Sequence, residues 1–286
     1  TFTEFLIARG KNLMAELLEN KDWQTLSTLH DVLIQMLREY YMVGGMPEAV
    51  NVFIETNDAN SVREVQREIL LAYKNDISKH TTKEQSHRIA MVWNSMPSQL
   101  SKENKKFLYG VVKKGGRAKE FELAIQWLID AGLIIKVGRV TTPSMPLKVY
   151  EDLSAFKLYL LDVGLLGAMA EINPVQLLLP NDMKESKGMF TENFVCTQLV
   201  TQFNSSLFYY SKENSTLEID FFVQKETQII PIEVKAELNV KSKSLSTILQ
   251  NNEEMFGVRF SMNQYRQQEK IVNLPLYCAE VYFKED

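Results

Sequence analysis

The chain has 286 residues, 45% of them hydrophobic, which is enough apolar material for two domains, or three small ones, with buried cores. A formal net charge of −4 and a sequence pI near 5.6 argue against a general electrostatic hold on nucleic acid, so any such contact needs a local patch. Cys196 and Cys278 are too few for a disulfide framework or a zinc ribbon, and the longest nearly apolar run, Leu158 to Ala170, is interrupted by Asp162 and too short to span a bilayer. No charged and apolar leader opens the chain, so a cytoplasmic protein without a membrane segment is expected.

From Phe2 to about Ser61 the apolar spacing is helical. Phe5, Leu6, Leu13, Leu17 and Leu18 share one predicted helix, and Leu29 to Tyr40 form a second. Gly44-Gly45 breaks the pattern, and Pro47 is well placed for the first turn of the next helix. A turn that redirects a helix explains these glycines without chemistry.

The second segment, 62–150, carries helical patterns at Val65 to Asn75, Ser86 to Asn94, Lys102 to Val112 and Ala118 to Ala131, stopped by Gly132. Leu133 to Val137 and Leu147 to Tyr150 read as short strands around a loop. Helices followed by a hairpin predict a winged helix-turn-helix, whose helix at about Lys119 to Ala131 would face a DNA major groove. Lys102, Lys105, Lys106, Lys113, Lys114, Arg117 and Lys119 crowd one short window, and Lys113, Lys114, Arg117 and Lys119 are the candidate phosphate contacts. A solvated lysine-rich surface is the plainer alternative, and Glu120 and Glu122 at the start of that helix oppose DNA contact.

The third segment, 151–286, opens with an apolar strand at Phe156 to Leu161, and Asp162 is a candidate N-cap for the helix that follows. A polar loop at Asn181 to Gly188 leads to a helix from Met189 to Phe203, with Glu192 in its first turns. Three strands come next: Leu207 to Tyr210, Leu217 to Val223 and Ile229 to Ala236. In the last of these, period two puts Glu233 and Lys235 on one face and Ile230, Ile232, Val234 and Ala236 on the other. Asp220 lies between Ile219 and Phe221. Charges inside apolar strands are costly unless partnered, and two hard carboxylates beside an ammonium suit a divalent cation and a phosphate. An ion pair at the end of a sheet is the alternative. A helix from about Leu245 to Met255 and strands at Val258 to Ser261 and Leu276 to Phe283 complete the segment, and Lys241 and Lys243 could hold a nucleic-acid backbone. The three histidines, His30, His80 and His87, lack companions at metal-ligand spacing.

Asp220 followed by Glu233-Val234-Lys235 resembles the D...ExK active site of the PD-(D/E)XK nuclease superfamily. In that superfamily the acids bind magnesium and the lysine assists the attacking water. The series TFTEFL at 1–6, YYMVGGMPEAV at 40–50, FKLYLLDVGLL at 156–166, GMFTENFV at 188–195 and EIDFFV...IPIEVKA resembles the C-terminal region of a family of bacterial and archaeal AAA-type ATPases. That region is a domain of unknown function assigned to the PD-(D/E)XK fold. Residue pattern and resemblance together give an α+β or α/β chain: a helical segment 1–61 after an absent ATPase core, the winged helix read from the pattern at 62–150, and, as the resemblance implies, an αβββ nuclease-like domain with a mixed sheet at 151–286. It implies Asp220, Glu233 and Lys235 as catalytic residues, with Glu192 joining Asp220 and Glu233 around Mg²⁺ or Mn²⁺. Cleavage of nucleic acid, with DNA as partner, is the implied activity, and a non-catalytic DNA- or protein-binding regulatory module of the ATPase is the alternative. Since the chain opens on Thr1 and has no G-x-x-x-x-G-K-[ST], it is expected to be part of a longer protein and to meet ATP only through the absent core. A homo-oligomer is a further expectation for ATPases of this class.

Overall fold

The computed structural model describes residues 1–179, 187–203, 206–212, 215–237, 243–252 and 254–284. Among them are thirteen α-helices and an eight-stranded mixed sheet. Lys241 and most of the polar loop expected at 181–188 lie outside the described residues. No helix among the described residues is long and apolar enough to cross a membrane.

The predicted first helix divides into α1 (Phe2–Ala8) and α2 (Asn12–Glu19), because Gly10 takes a left-handed φ of 70° between them. Thr1 and Glu4 close a capping box on α1. After α3 (Trp23–Thr28) come α4 (His30–Val43) and α5 (Pro47–Thr56), the latter with its proline in the first turn as expected. Asp58 caps α6 (Ala59–His80) and Thr82 caps α7 (Lys83–Leu100). The helix expected at Lys102 to Val112 shrinks to α8 (Tyr109–Val112), since Lys105 turns left-handed at φ 49° and its side chain is buried. The expected α9 is present at Ala118–Asp130, followed by β1 (Ile134–Val140).

Leu147–Tyr150, expected as a strand, is a 3₁₀ turn, and the pairing strand is β2 (Glu151–Leu160). Leu147 is fully buried and its N–H donates to Gln224 Oε1 at 3.0 Å, which fixes the turn. Three helices follow: α10 (Val163–Met169), α11 (Pro174–Leu178) and α12 (Lys187–Leu199). Then come β3 (Phe208–Ser211), β4 (Glu218–Lys225), β5 (Gln228–Val234), α13 (Lys243–Gln250), β6 (Gly257–Ser261), β7 (Arg266–Gln268) and β8 (Ile271–Pro275). Leu276 to Phe283 is not the expected strand. Leu276, Tyr277, Cys278, Ala279 and Val281 are all buried, so no face alternates, and the segment coils through a 3₁₀ turn.

The chain forms two compact units, each discontinuous in sequence, which do not trace the contiguous divisions at 61 and 150. One unit takes Thr1–Gln35, Val137–Lys157 and Gln198–Asp286, and holds most of the sheet. Its strand order is β2-β1-β3-β4-β5-β6-β8-β7, with β1–β3, β5–β6 and β6–β8 parallel and β3–β4, β4–β5 and β7–β8 antiparallel. In place of the expected hairpin of Leu133 to Val137 with Leu147 to Tyr150, β1 lies inside this sheet between β2 and β3. Helix α13 lays Leu245, Ile248 and Leu249 over Phe208, Phe222 and Ile229, and Gly257 leaves room for it: a Cβ there would stand 2.7 Å from Leu245 Cδ1.

The other unit takes Met36–Lys136 and Leu158–Thr197. Asp162 is 5% exposed and does more than cap α10: Oδ1 accepts the Leu165 N–H at 2.8 Å and Oδ2 accepts the Gly45 N–H at 2.6 Å. Burial raises its pKa, opposed by these amide hydrogen bonds. Gly44 has a φ of 78°, and a side chain there would collide with the Asp162 carboxylate. Gln66 Nε2 donates to the carbonyls of Met42 and Val43 at 2.9 Å each, so the Gly-Gly turn is pinned from two sides. The turn redirects the chain, as its sequence suggests.

Candidate functional site

Strands β4 and β5 form the hairpin that the alternating pattern predicts, with partners from Lys225–Gln228 to Phe221–Ile232. Against β3, the register of β4 slips between Phe208 and Tyr210: Phe208 faces Phe222, but Tyr210 faces Ile219. The extra residue falls at Asp220 and Phe221, and bulges of this kind re-aim side chains. Asp220 uses that freedom. Its Oδ2 accepts the Val234 N–H at 2.8 Å, which ties the carboxylate to the amide immediately after Glu233.

Glu233 is 4% exposed, and its charge is met on both oxygens. Lys235 Nζ stands 2.9 Å from Oε1, and Arg259 Nε stands 3.6 Å from Oε2. Arg259 lies directly across the sheet, since Glu233 pairs with Arg259 and Arg259 pairs with Asn273 in the parallel ladders. Arg259 Nη1 donates to Asn273 Oδ1 at 2.8 Å, and Asn273 Nδ2 in turn donates to the Arg266 carbonyl at 3.0 Å. Among the described residues neither Glu233 Oε2 nor Arg259 Nε has a hydrogen-bond partner, so that contact is an ion pair only. The Lys235 side chain remains 35% exposed, presenting a cation at the end of the row. The Asp220 carboxylate, on β4, therefore meets the end of β5 at the amide beside Glu233, and Lys235, just past that end, meets the Glu233 carboxylate. Arg259 and Asn273 were missed. Their signal is a polar residue in the middle of a short apolar strand, GVRFS and IVNLP, the same signal that marks Asp220.

Glu192 belongs to the other unit and is not the surface carboxylate that its place in a first helical turn suggests. It is 8% exposed; Lys105 Nζ lies 2.6 Å from Oε1 and the Tyr159 hydroxyl donates to Oε2 at 3.1 Å. The Lys105 amine, counted at first among the basic window, is committed to this buried pair. Lys113, Lys114, Arg117 and Lys119 are exposed around the start of α9, with Lys113 3.7 Å from Glu120. Lys243 is exposed at the start of α13. No group of three or more His, Cys, Asp or Glu side chains arranged to hold a metal occurs among the described residues.

Against known families, residues 34–176 match a domain of unknown function, DUF8612, and residues 187–279 match a second domain of unknown function, DUF4143. No curated protein and no solved structure matches the chain.

Proposed function

We propose, for a chain that belongs to the DUF8612 family, that the polar end of the β4–β5 hairpin is a metal-dependent, nuclease-like site acting on nucleic-acid phosphodiesters. One observation carries the proposal: the Asp220 carboxylate is held on the amide next to Glu233, whose own carboxylate holds Lys235. Helix α12 followed by β3, β4 and β5, adjacent and antiparallel in the sheet, supports an αβββ core of the PD-(D/E)XK kind. Helix α9 followed in the chain by β1 and β2 has the element order of a winged helix and supports that reading. The DUF4143 match supports an attachment to an AAA-type ATPase, because that domain is often found in proteins associated with such ATPases.

The donors suit a hard cation. Asp220 and Glu233 offer carboxylate oxygens, and Glu233 Oε2 is buried without a hydrogen-bond donor among the described residues. A Mg²⁺ or Mn²⁺ held there would supply an activated water and offset phosphate charge. The chain's own share is positional and electrostatic. The Val234 amide orients Asp220, Arg259, held by Asn273, sets a positive charge beside Glu233, and the half-exposed Lys235 ammonium offsets charge on an approaching phosphate.

A second reading is favoured by the same row. Lys235 and Arg259 already balance Glu233, so the carboxylate needs no metal, and the chain would serve as a DNA- or protein-binding regulatory module. Calorimetric titration with Mn²⁺, alone and with an oligonucleotide present, separates the two. Binding by the native chain that is absent in Asp220→Ala supports the metal site. No heat in either protein under both conditions ends the nuclease-like reading and leaves the regulatory one.

A further inference from the structure

The unit that takes Met36–Lys136 and Leu158–Thr197 contains a cleft of about 410 Å³ lined by Asn60, Arg63, Glu64, Arg67, Ile172 and Asn173, among others. Arg63 is the one charged lining residue that is buried, at 4% exposure; Glu64, Arg67 and Glu171 are exposed. Its Nη2 donates to the Ile172 carbonyl at 3.1 Å, whereas Nε and Nη1 are enclosed with no hydrogen-bond partner among the described residues. No carboxylate among the described residues forms an ion pair with it. Arg67, one helical turn along α6, adds a second positive charge to the same wall.

This arrangement is costly as it stands. A buried charge without a counter-charge is among the most expensive features a fold can hold, and a like charge nearby raises the cost. Burial and Arg67 together lower the Arg63 pKa to about 10. The cleft also carries backbone strain. Glu171 sits at φ 54°, a conformation that favours glycine, where its N–H and that of Ile172 close the end of α10 on Ala168 and Gly167. The exposed carboxylates of Glu64 and Glu171 act through water and count for much less than a charge in the enclosed wall. What the wall lacks is an acceptor with a two-oxygen edge, which a guanidinium fork matches.

We propose that this cleft binds a small oxyanion, a phosphate or carboxylate group, with Arg63 as its enclosed counter-charge and Arg67 at its rim. The proposal is independent of the site on β4 and β5. Asn60 and Asn173 place amides around the same cleft for the remainder of the ligand.

The test is the thermal unfolding midpoint of the 286-residue chain as sodium phosphate or sodium succinate replaces sodium chloride at constant ionic strength. A saturable rise in one or both salts is expected, and which salt raises it assigns phosphate or carboxylate. Arg63→Lys keeps the charge but removes the fork, and it should abolish the rise. Arg67 is exposed, so Arg67→Gln should fold normally and weaken the half-saturating concentration at least about threefold. The proposal is overturned if the midpoint is the same in all three salts, or if Arg67→Gln leaves the half-saturating concentration unchanged. A rise that persists in a folded Arg63→Lys variant also overturns it.

Discussion

Two arginines in this chain are buried to nearly the same depth and are partnered in opposite ways. Arg259, 5% exposed, lies on a strand between Glu233 and Asn273, and both contacts follow from parallel registers that set the three side chains in one row. Arg63, 4% exposed, lies on a helix and meets one carbonyl oxygen, while the neighbour one turn away on its helix is another arginine. The difference shows what burial of a charge means in each place. In the row, the fold supplies the counter-charge; in the cleft, the counter-charge has to arrive from outside.

The sharpest way to break this contrast is to remove Arg259. Arg259→Met leaves Glu233 buried with only the half-exposed Lys235, so stability to urea should fall by about 3–5 kcal/mol. Adding Glu233→Gln should recover part of that loss, because the uncompensated charge goes with it. A loss below about 1 kcal/mol would mean that Arg259 is not an obligatory partner.

The matching change at the other arginine has the opposite expected sign. Arg63→Met removes an uncompensated charge at the cost of one hydrogen bond to Ile172, so in chloride buffer the chain should gain about 1 kcal/mol or stay level. A loss beyond about 2 kcal/mol would identify that hydrogen bond as the reason for Arg63 and remove the contrast.

The smallest effect is expected at Tyr209, a neutral group buried without a partner for its hydroxyl among the described residues. Burial is the main cause that pushes its phenol from 10.0 up to about 12, with the Lys157 ammonium 4.9 Å from the ring centroid opposing. A folded-state pKa above the unfolded one means that the stabilisation tied to the neutral phenol is complete below about pH 10. It is lost as pH rises towards about 12. Tyr209→Phe should therefore be within about 0.5 kcal/mol of the native chain at pH 7 and show a shallower decline in stability across that alkaline window. An identical decline in both proteins would show that Tyr209 does not carry it.

Much of this molecule is legible from local pattern. The helix at Pro47, the cap at Asp162 and the β4–β5 hairpin each depend on residues a few positions apart, where period, proline geometry and side-chain-to-amide reach settle the outcome. Asp220, Glu233 and Lys235 were visible for the same reason: polar residues inside apolar strands need a partner. Boundaries failed where tertiary burial overrode period, as at Leu147, anchored by Gln224, and at Leu276 to Phe283, buried on all sides.

The sequence by itself determined the α+β class, the three central strands and the charged residues of the hairpin, because those are encoded by neighbours along the chain. Only the tertiary structure decided that Arg259 and Asn273 complete the row, that Glu192 is taken up by Lys105 and Tyr159, and that Arg63 is enclosed without a counter-charge among the described residues. Each of these depends on strand register or helix packing between segments far apart in sequence, and no local periodicity records which distant side chain will stand opposite a buried charge.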